Sequence, residues 1–332
     1  MAPRPATVAA AVLRPGPPGG IVRPMKLHFG VLLPQFAASW NHAREVALAA
    51  EESGLDSVWC VDHFVGIPDP GQPVFEGWTE IAAIAAITRR VRLGHLVLCV
   101  NYRQPALLAK MAATLDVVSG GRLIVGLGAG WHQPEYEQYG YPFPPIGTRL
   151  AQLDETLHIL RRMWTDERAS FEGRHFAVRE AVCEPKPVQR RLPILIGGGG
   201  EKVLLRHVAR HADIWNNLGV YHDEVARKRE VLVDHCRAIG RDPAEIMVSQ
   251  QTLAAVATDR AEATRRTARV REEVGFLDAS QELSLTGTPD EIQARIERNR
   301  ALGVTAFMMS FGRATDPEDV RLFGRQIAPA YR

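Results

Sequence analysis

Four consecutive glycines, Gly197–Gly200, stand between the apolar run Pro193–Ile196 and a helical pattern that reaches about His211. Backbone N–H groups in such a turn approach a phosphate closely, and the start of the following helix adds partial positive charge. Lys202 follows at once. Four glycines exceed what a tight strand-to-helix turn needs. Gly198, Gly199 and Gly200, with Glu201 at their end, are therefore the candidate anion cradle, and a turn without a ligand is the alternative.

Asp62 and His63 end another apolar run, Ser57–Val61. A histidine titrates near neutral pH and can hold or release a proton beside a reacting carbon. Neighbours on an extended chain face opposite ways, so the two residues do not form a dyad by default. His63 is the candidate catalytic residue, and a structural histidine is the alternative. His132 and Glu135 follow a third run and are weaker candidates, because polar loop residues are usually solvated. In that run Gly126, Gly128 and Gly130 alternate ahead of Trp131. They leave space that a flat ring system could use, with Trp131 at its border; close packing of loop on scaffold is the alternative.

These residues need a scaffold that brings strand ends together. Short apolar runs at Lys26–Leu33, Ser57–Val61, Val91–Val100, Arg122–Leu127, Pro193–Ile196, Asp213–Asn217, Ile246–Ala254 and Thr305–Ser310 are each followed by a helical pattern. Strands apolar on both faces and joined by helices are parallel, and right-handed crossovers close them. Eight such units predict a (β/α)8 barrel, whose site lies at the C-terminal strand ends. An open doubly wound sheet is the alternative, but no glycine fingerprint follows the first strand. Ser170–Val178 reads as an inserted hairpin and Ala261–Glu273 as an extra helix.

Composition narrows the classes. A chain of 332 residues with formal net charge +2 lacks the basic field that nucleic-acid binding requires. Cys60, Cys99, Cys183 and Cys236 form no CxxC pair and no Cys/His group with zinc spacing, so no metal site is expected. Cys60 and Cys99 lie inside apolar runs, which suits a reducing cytoplasm. No apolar run is long enough to span a membrane. GxSxG, HExxH and P-loop motifs are absent. Residues 1–24, rich in Ala, Pro, Gly and Arg, read as a disordered extension or as a start set too early, with Met25 the functional start; a signal peptide is the alternative, and 25–332 read as one barrel domain.

The segments DSVWCVDHF (Asp56–Phe64), RLGHLVLCVNYRQPALLAK (Arg92–Lys110), AATLDVVSGGRLIVGLGAGW (Ala112–Trp131) and PILIGGGGE (Pro193–Glu201) resemble luciferase-like monooxygenases. The branch they look closest to is the actinobacterial F420-dependent oxidoreductases, and the resemblance runs from about Met25 to Gly312. It implies a (β/α)8 barrel with an insertion between the last two strands, similar to the Ala254–Leu285 stretch. It also implies a cofactor, F420 or alternatively FMN, whose ring crosses the barrel mouth and whose phosphate sits at Gly198–Gly200. A non-proline cis peptide near Leu96–Val97 is expected to bulge against that ring, with His63 near its reactive face. Asp62, Asn101, Tyr102, Gly128, Ala129, Gly130 and Trp131 would border it, and Lys202, Arg206 and Arg103 are the cations available to an acidic tail. Sugar-phosphate dehydrogenases of this family carry a glutamate after the fourth-strand glycines. Trp131 takes that position here, which argues against a sugar phosphate. The resemblance thus implies hydride transfer to or from a small organic molecule by a homodimer. The rivals are an FMN-dependent monooxygenase, a barrel lyase or isomerase, and a non-catalytic flavin-binding protein.

Overall fold

The computed structural model describes residues 26–332; the segment 1–24 and Met25 lie outside the described residues. Eight parallel strands form a closed ring: β1 His28–Leu32, β2 Ser57–Cys60, β3 Arg92–His95, β4 Leu123–Gly128, β5 Ile194–Gly197, β6 Ile214–Asn217, β7 Met247–Val256 and β8 Ala306–Ser310. β8 returns to β1 with His28 opposite Ala306, which closes the barrel. The expected (β/α)8 architecture is the observed one.

Each strand is sandwiched between the bore and the outer helices, which is why the runs are continuously apolar. Phe29, Val31, Val58, Leu93, Val125 and Ile196 face the helices and join the main core. Leu32, Trp59, Ile124, Leu195, Ile214 and Met308 belong to a separate cluster that fills the bore. Trp59 is fully buried there and donates from Nε1 to Ser57 Oγ at 2.7 Å. A Cβ on Gly30 or Gly94, its neighbours on β1 and β3, would overlap the indole. The glycines of the bore are therefore shaped to one large side chain.

The helices that matter for the site are α1 Trp40–Glu52, α2 Gly77–Ile87, α3 Pro105–Ser119, α4 Gln133–Gln138, α5 Ile146–Thr165, α6 Leu204–His211 and α7 Val225–Ala238. α8 Arg260–Val274 and a short strand, Leu285–Gly287, paired to the end of β7, make the insertion before β8. α9 Pro289–Ala301 and α10 Pro317–Gln326 complete the ring. The hairpin of Ala169–Glu172 and Ala177–Ala181 stands apart as its own two-stranded sheet.

Two local readings needed correction. The run Val91–Val100 is not one strand: β3 stops at His95, the Leu96–Val97 peptide is cis, and pairing resumes with Leu98–Cys99 against β4. The stretch after β4 is not all loop, because Pro134 starts α4 there. No helix among the described residues is long and apolar enough to cross a membrane.

A Cβ on Gly126 would overlap the His95 carbonyl, a backbone atom that cannot step aside. Gly126→Ala should therefore cost about 2–4 kcal/mol in urea denaturation. Gly147, in the first turn of α5, has open space around its Cα. Gly147→Ala should be neutral or stabilise by up to about 1 kcal/mol in the same assay.

Candidate active site

The ends of β2, β3 and β4 converge on a buried carboxylate that sequence reasoning ranked as a weaker candidate. Glu135 is fully buried because α4 turns Glu135 and Tyr136 inward. Its Oε2 meets His63 Nδ1 at 2.9 Å and accepts from the Tyr102 hydroxyl at 3.1 Å. Its Oε1 accepts the backbone N–H groups of Phe64 at 2.8 Å and Val65 at 3.2 Å. Burial pushes the Glu135 carboxyl up, but His63 and those two N–H groups outweigh it and leave the pKa below its ordinary value. A carboxylate with four donors on it is ionised, and it assigns the His63 proton to Nδ1. Nε2 is then the nitrogen able to exchange a proton at the mouth.

The imidazole is 16% exposed at its side chain and is walled by aromatic groups. Trp131 stands edge-on at 5.7 Å between ring centroids, His132 at 6.0 Å and Phe36 at 6.2 Å. Trp131 is itself 64% exposed and so forms the rim. Burial is the main cause that lowers the His132 pKa.

Asp62 faces away from His63. It accepts Cys99 N–H at 2.8 Å and pairs with both guanidinium nitrogens of Arg103, at 2.8 and 2.9 Å. Arg103 also pairs with Glu76. The Asp62 carboxylate and the Arg103 cation thus neutralise each other as a clasp between the β2 and β3 loops. Both charges are thus engaged within the protein. Asn101 donates to Gln152 Oε1 at 2.7 Å and accepts from Tyr136 Oη at 3.0 Å, so its amide is likewise engaged. Cys99 lies 2.8 Å from the same Tyr136 hydroxyl, and burial pushes its thiol up to about 12.

The β4 glycines are packed against protein. A Cβ on Gly128 would stand 2.6 Å from Val97 Cγ2, and one on Gly130 would overlap Tyr136 Oη and lie 2.6 Å from Cys99 Sγ. A Cβ on Gly197 would stand 2.8 Å from Val97 Cγ1. Gly128 thus accommodates Val97, and Gly130 accommodates Tyr136 and Cys99. Leu96 is buried, as is Ala129, whose carbonyl accepts Arg149 Nε at 3.2 Å.

The Gly197–Gly200 turn is built differently. Gly198 has φ of 135°, a conformation that favours glycine, and donates to Asn216 O at 3.1 Å. Trp215 Nε1 donates to Gly198 O at 2.9 Å. Lys228 of α7, 5% exposed, donates from Nζ to Gly199 O at 2.7 Å and lies 4.5 Å from the centre of the Tyr221 ring. Among the described residues, the N–H groups of Gly199 and Gly200 donate to no protein acceptor. Asn216 Nδ2, buried at the end of β6, also lacks a partner. Glu201 turns its carboxylate to Arg227 and Lys228 on α7, so only its backbone adjoins the turn. Lys202 and Arg206 are exposed.

Lys228 escaped the sequence reading, and Glu135 entered it only as a weaker candidate. Lys228 carried a signal, because it stands in the apolar stripe Val225–Leu232–Cys236 of α7, where a charge demands a partner. Glu135 carried none, since its burial depends on the path of α4.

A family model for luciferase-like monooxygenases matches residues 25–283. An F420-dependent glucose-6-phosphate dehydrogenase of Amycolatopsis mediterranei (strain U-32) is 34% identical over 170 residues, covering 51% of this chain and 50% of that protein. A pyrimidine monooxygenase of Stutzerimonas stutzeri (strain A1501) is 32% identical over 173 residues, covering 51% and 48%. The chain spans about half the length of the curated relatives it matches. Among solved structures, an F420-dependent secondary alcohol dehydrogenase in complex with an F420-acetone adduct superposes with a TM-score of 0.79 at 21% identity, covering 93% of this chain and all 100% of that one. A long-chain alkane monooxygenase superposes at 0.75 with 15% identity, covering 92% and 91%. Those likenesses are of fold; the family assignment rests on the match over residues 25–283, and by it the chain belongs to the luciferase-like monooxygenases.

Proposed function

We propose that the chain is an F420-dependent oxidoreductase that moves a hydride between the deazaflavin and a small organic substrate. The observation that carries this reading is His63, its Nδ1 locked by buried Glu135 and its ring at an aromatic-walled mouth. Relatives named F420-dependent glucose-6-phosphate dehydrogenase support the cofactor class.

The residues present fit a phosphorylated cofactor. The Gly199 and Gly200 N–H groups and the orphaned Asn216 amide supply donors at one turn, and Lys228, paired with Glu201 and Glu224, holds the Gly199 carbonyl. We assign Gly198–Gly200 to the phosphate, with Lys228 positioning the turn through the Gly199 carbonyl, and Val97 and Trp131 to the ring and its rim. When bound, the deazaflavin supplies the carbon that gives or takes the hydride. His63 Nε2 holds or releases the accompanying substrate proton, while Glu135 fixes the imidazole tautomer. Glu135 already accepts four hydrogen bonds and is not itself a proton donor. With Trp131 at the position after the glycines, the site favours a small carbonyl or alcohol over a sugar phosphate. The pyrimidine monooxygenase relative supports a second reading, reduced FMN with oxygen.

Titration of the purified protein with F420 and FMN separates the two. Saturable change in deazaflavin fluorescence, undisturbed by equimolar FMN, is expected; FMN binding alone would overturn the F420 assignment. Glu135→Gln and His63→Gln should each lower kcat/KM by about 10²–10⁴-fold, because the proton is no longer placed. Their cofactor affinity should stay close to that of the parent, and a loss of affinity instead of turnover would refute the proton role.

A further inference from the structure

Away from the barrel mouth, two helices present four metal-ligating side chains to one another. Asp154 and His158 are four residues apart on α5, and His207 and His211 are four apart on α6, so each pair lies on one helix face. The faces meet. His211 Nε2 and His207 Nδ1 are each 3.0 Å from Asp154 Oδ1, and His158 Nε2 is 3.9 Å from Oδ2. The His158 and His211 rings are 4.6 Å apart, crossed at 86°. Donor atoms of Asp154, His158 and His211 lie within 4.8 Å of one another.

Hydrogen bonding accounts for only part of this cluster. His211 makes a hydrogen bond to Asp154. His207, 7% exposed, does not: both of its ring nitrogens are buried with no hydrogen-bond partner, and the 3.0 Å approach to the carboxylate lacks hydrogen-bond geometry. A buried polar atom left this way is costly. Asp154, His158 and His211 are the three whose donor atoms lie close enough together to share one ion. Tetrahedral Zn²⁺ with ligand bonds of about 2.0–2.1 Å sets its ligand atoms about 3.3–3.4 Å apart. The 3.0 Å separation of His211 Nε2 from Asp154 Oδ1 sits close to that edge length. His158, 48% exposed at its side chain, can close the remaining 3.9 Å and gives the ion a solvent route.

We infer that Asp154, His158 and His211 form a binding site for a divalent transition metal, with Zn²⁺ as the matching ion and His207 beside the shared carboxylate. Imidazole and carboxylate ligands suit zinc, copper or nickel and not magnesium or calcium. No motif search for CxxC or HExxH finds this set, because the two halves are separated in sequence and lie on the outer helices. α6 is the helix that follows the Gly197–Gly200 turn, so an ion here would fasten that helix to α5 at its far end.

The test uses the full chain, stripped with a chelator and dialysed against Zn²⁺, with Co²⁺ as a coloured probe. One zinc per chain, tetrahedral-type Co²⁺ absorption in the visible, and a chelator-reversible rise in Tm are expected. His158→Ala, at a half-exposed position that leaves the fold intact by circular dichroism, should weaken binding by at least about tenfold and abolish the Tm shift. Asp154→Asn should do the same. Absence of zinc uptake, or uptake that survives both substitutions, would overturn the site. Cofactor titration stays a separate readout and is expected to be unchanged in His158→Ala.

Discussion

A closed ring of eight strands leaves little room inside, and the rest of this structure depends on which side chains take it. Trp59 occupies the lower bore and Val97 the upper, each meeting glycine on neighbouring strands. The fit is one of volume. A Cβ added on Gly94, Gly128 or Gly197 meets an indole or isopropyl group inside van der Waals distance. Because strand register fixes which residues face inward, this packing also fixes where each strand ends, and so where the loops that carry chemistry begin.

Above that packed bore, two carboxylates organise the loops. Glu135 gathers donors from the loops after β2 and β3, and Asp62 with Arg103 clasps those same loops. Removing a carboxylate from water is unfavourable unless donors replace the lost hydration. Each of these groups therefore requires its loops to be placed before it can be buried. The loop conformations are consequently interdependent, and His63 inherits its orientation from residues remote in sequence.

Much of the scaffold was legible in the sequence for a physical reason. Strands covered on both faces must be apolar throughout, so Ser57–Val61 and Pro193–Ile196 declare themselves, as does the glycine run that ends the second of them. His63 was legible as a strand-end histidine. The interruption of the third strand was not, because the residues on either side of Leu96–Val97 are as apolar as an unbroken strand. Gly126, Gly128 and Gly130 were visible but ambiguous: glycine marks a close approach without saying whether the approaching group is protein or ligand. Asp62 and Asn101 follow strand ends, and their side chains are engaged by Arg103, Gln152 and Tyr136, which no local pattern reveals.

The exposure of Trp131 has an optical consequence. Trp59, Trp78, Trp164 and Trp215 are buried, whereas Trp131 is 64% exposed beside His63. Its indole relaxes against water while the buried ones do not, so its emission lies at the red edge of the protein spectrum and answers first to a dissolved quencher. The barrel mouth thus carries an intrinsic label, and whatever settles against that rim announces itself in the colour of the protein's own light.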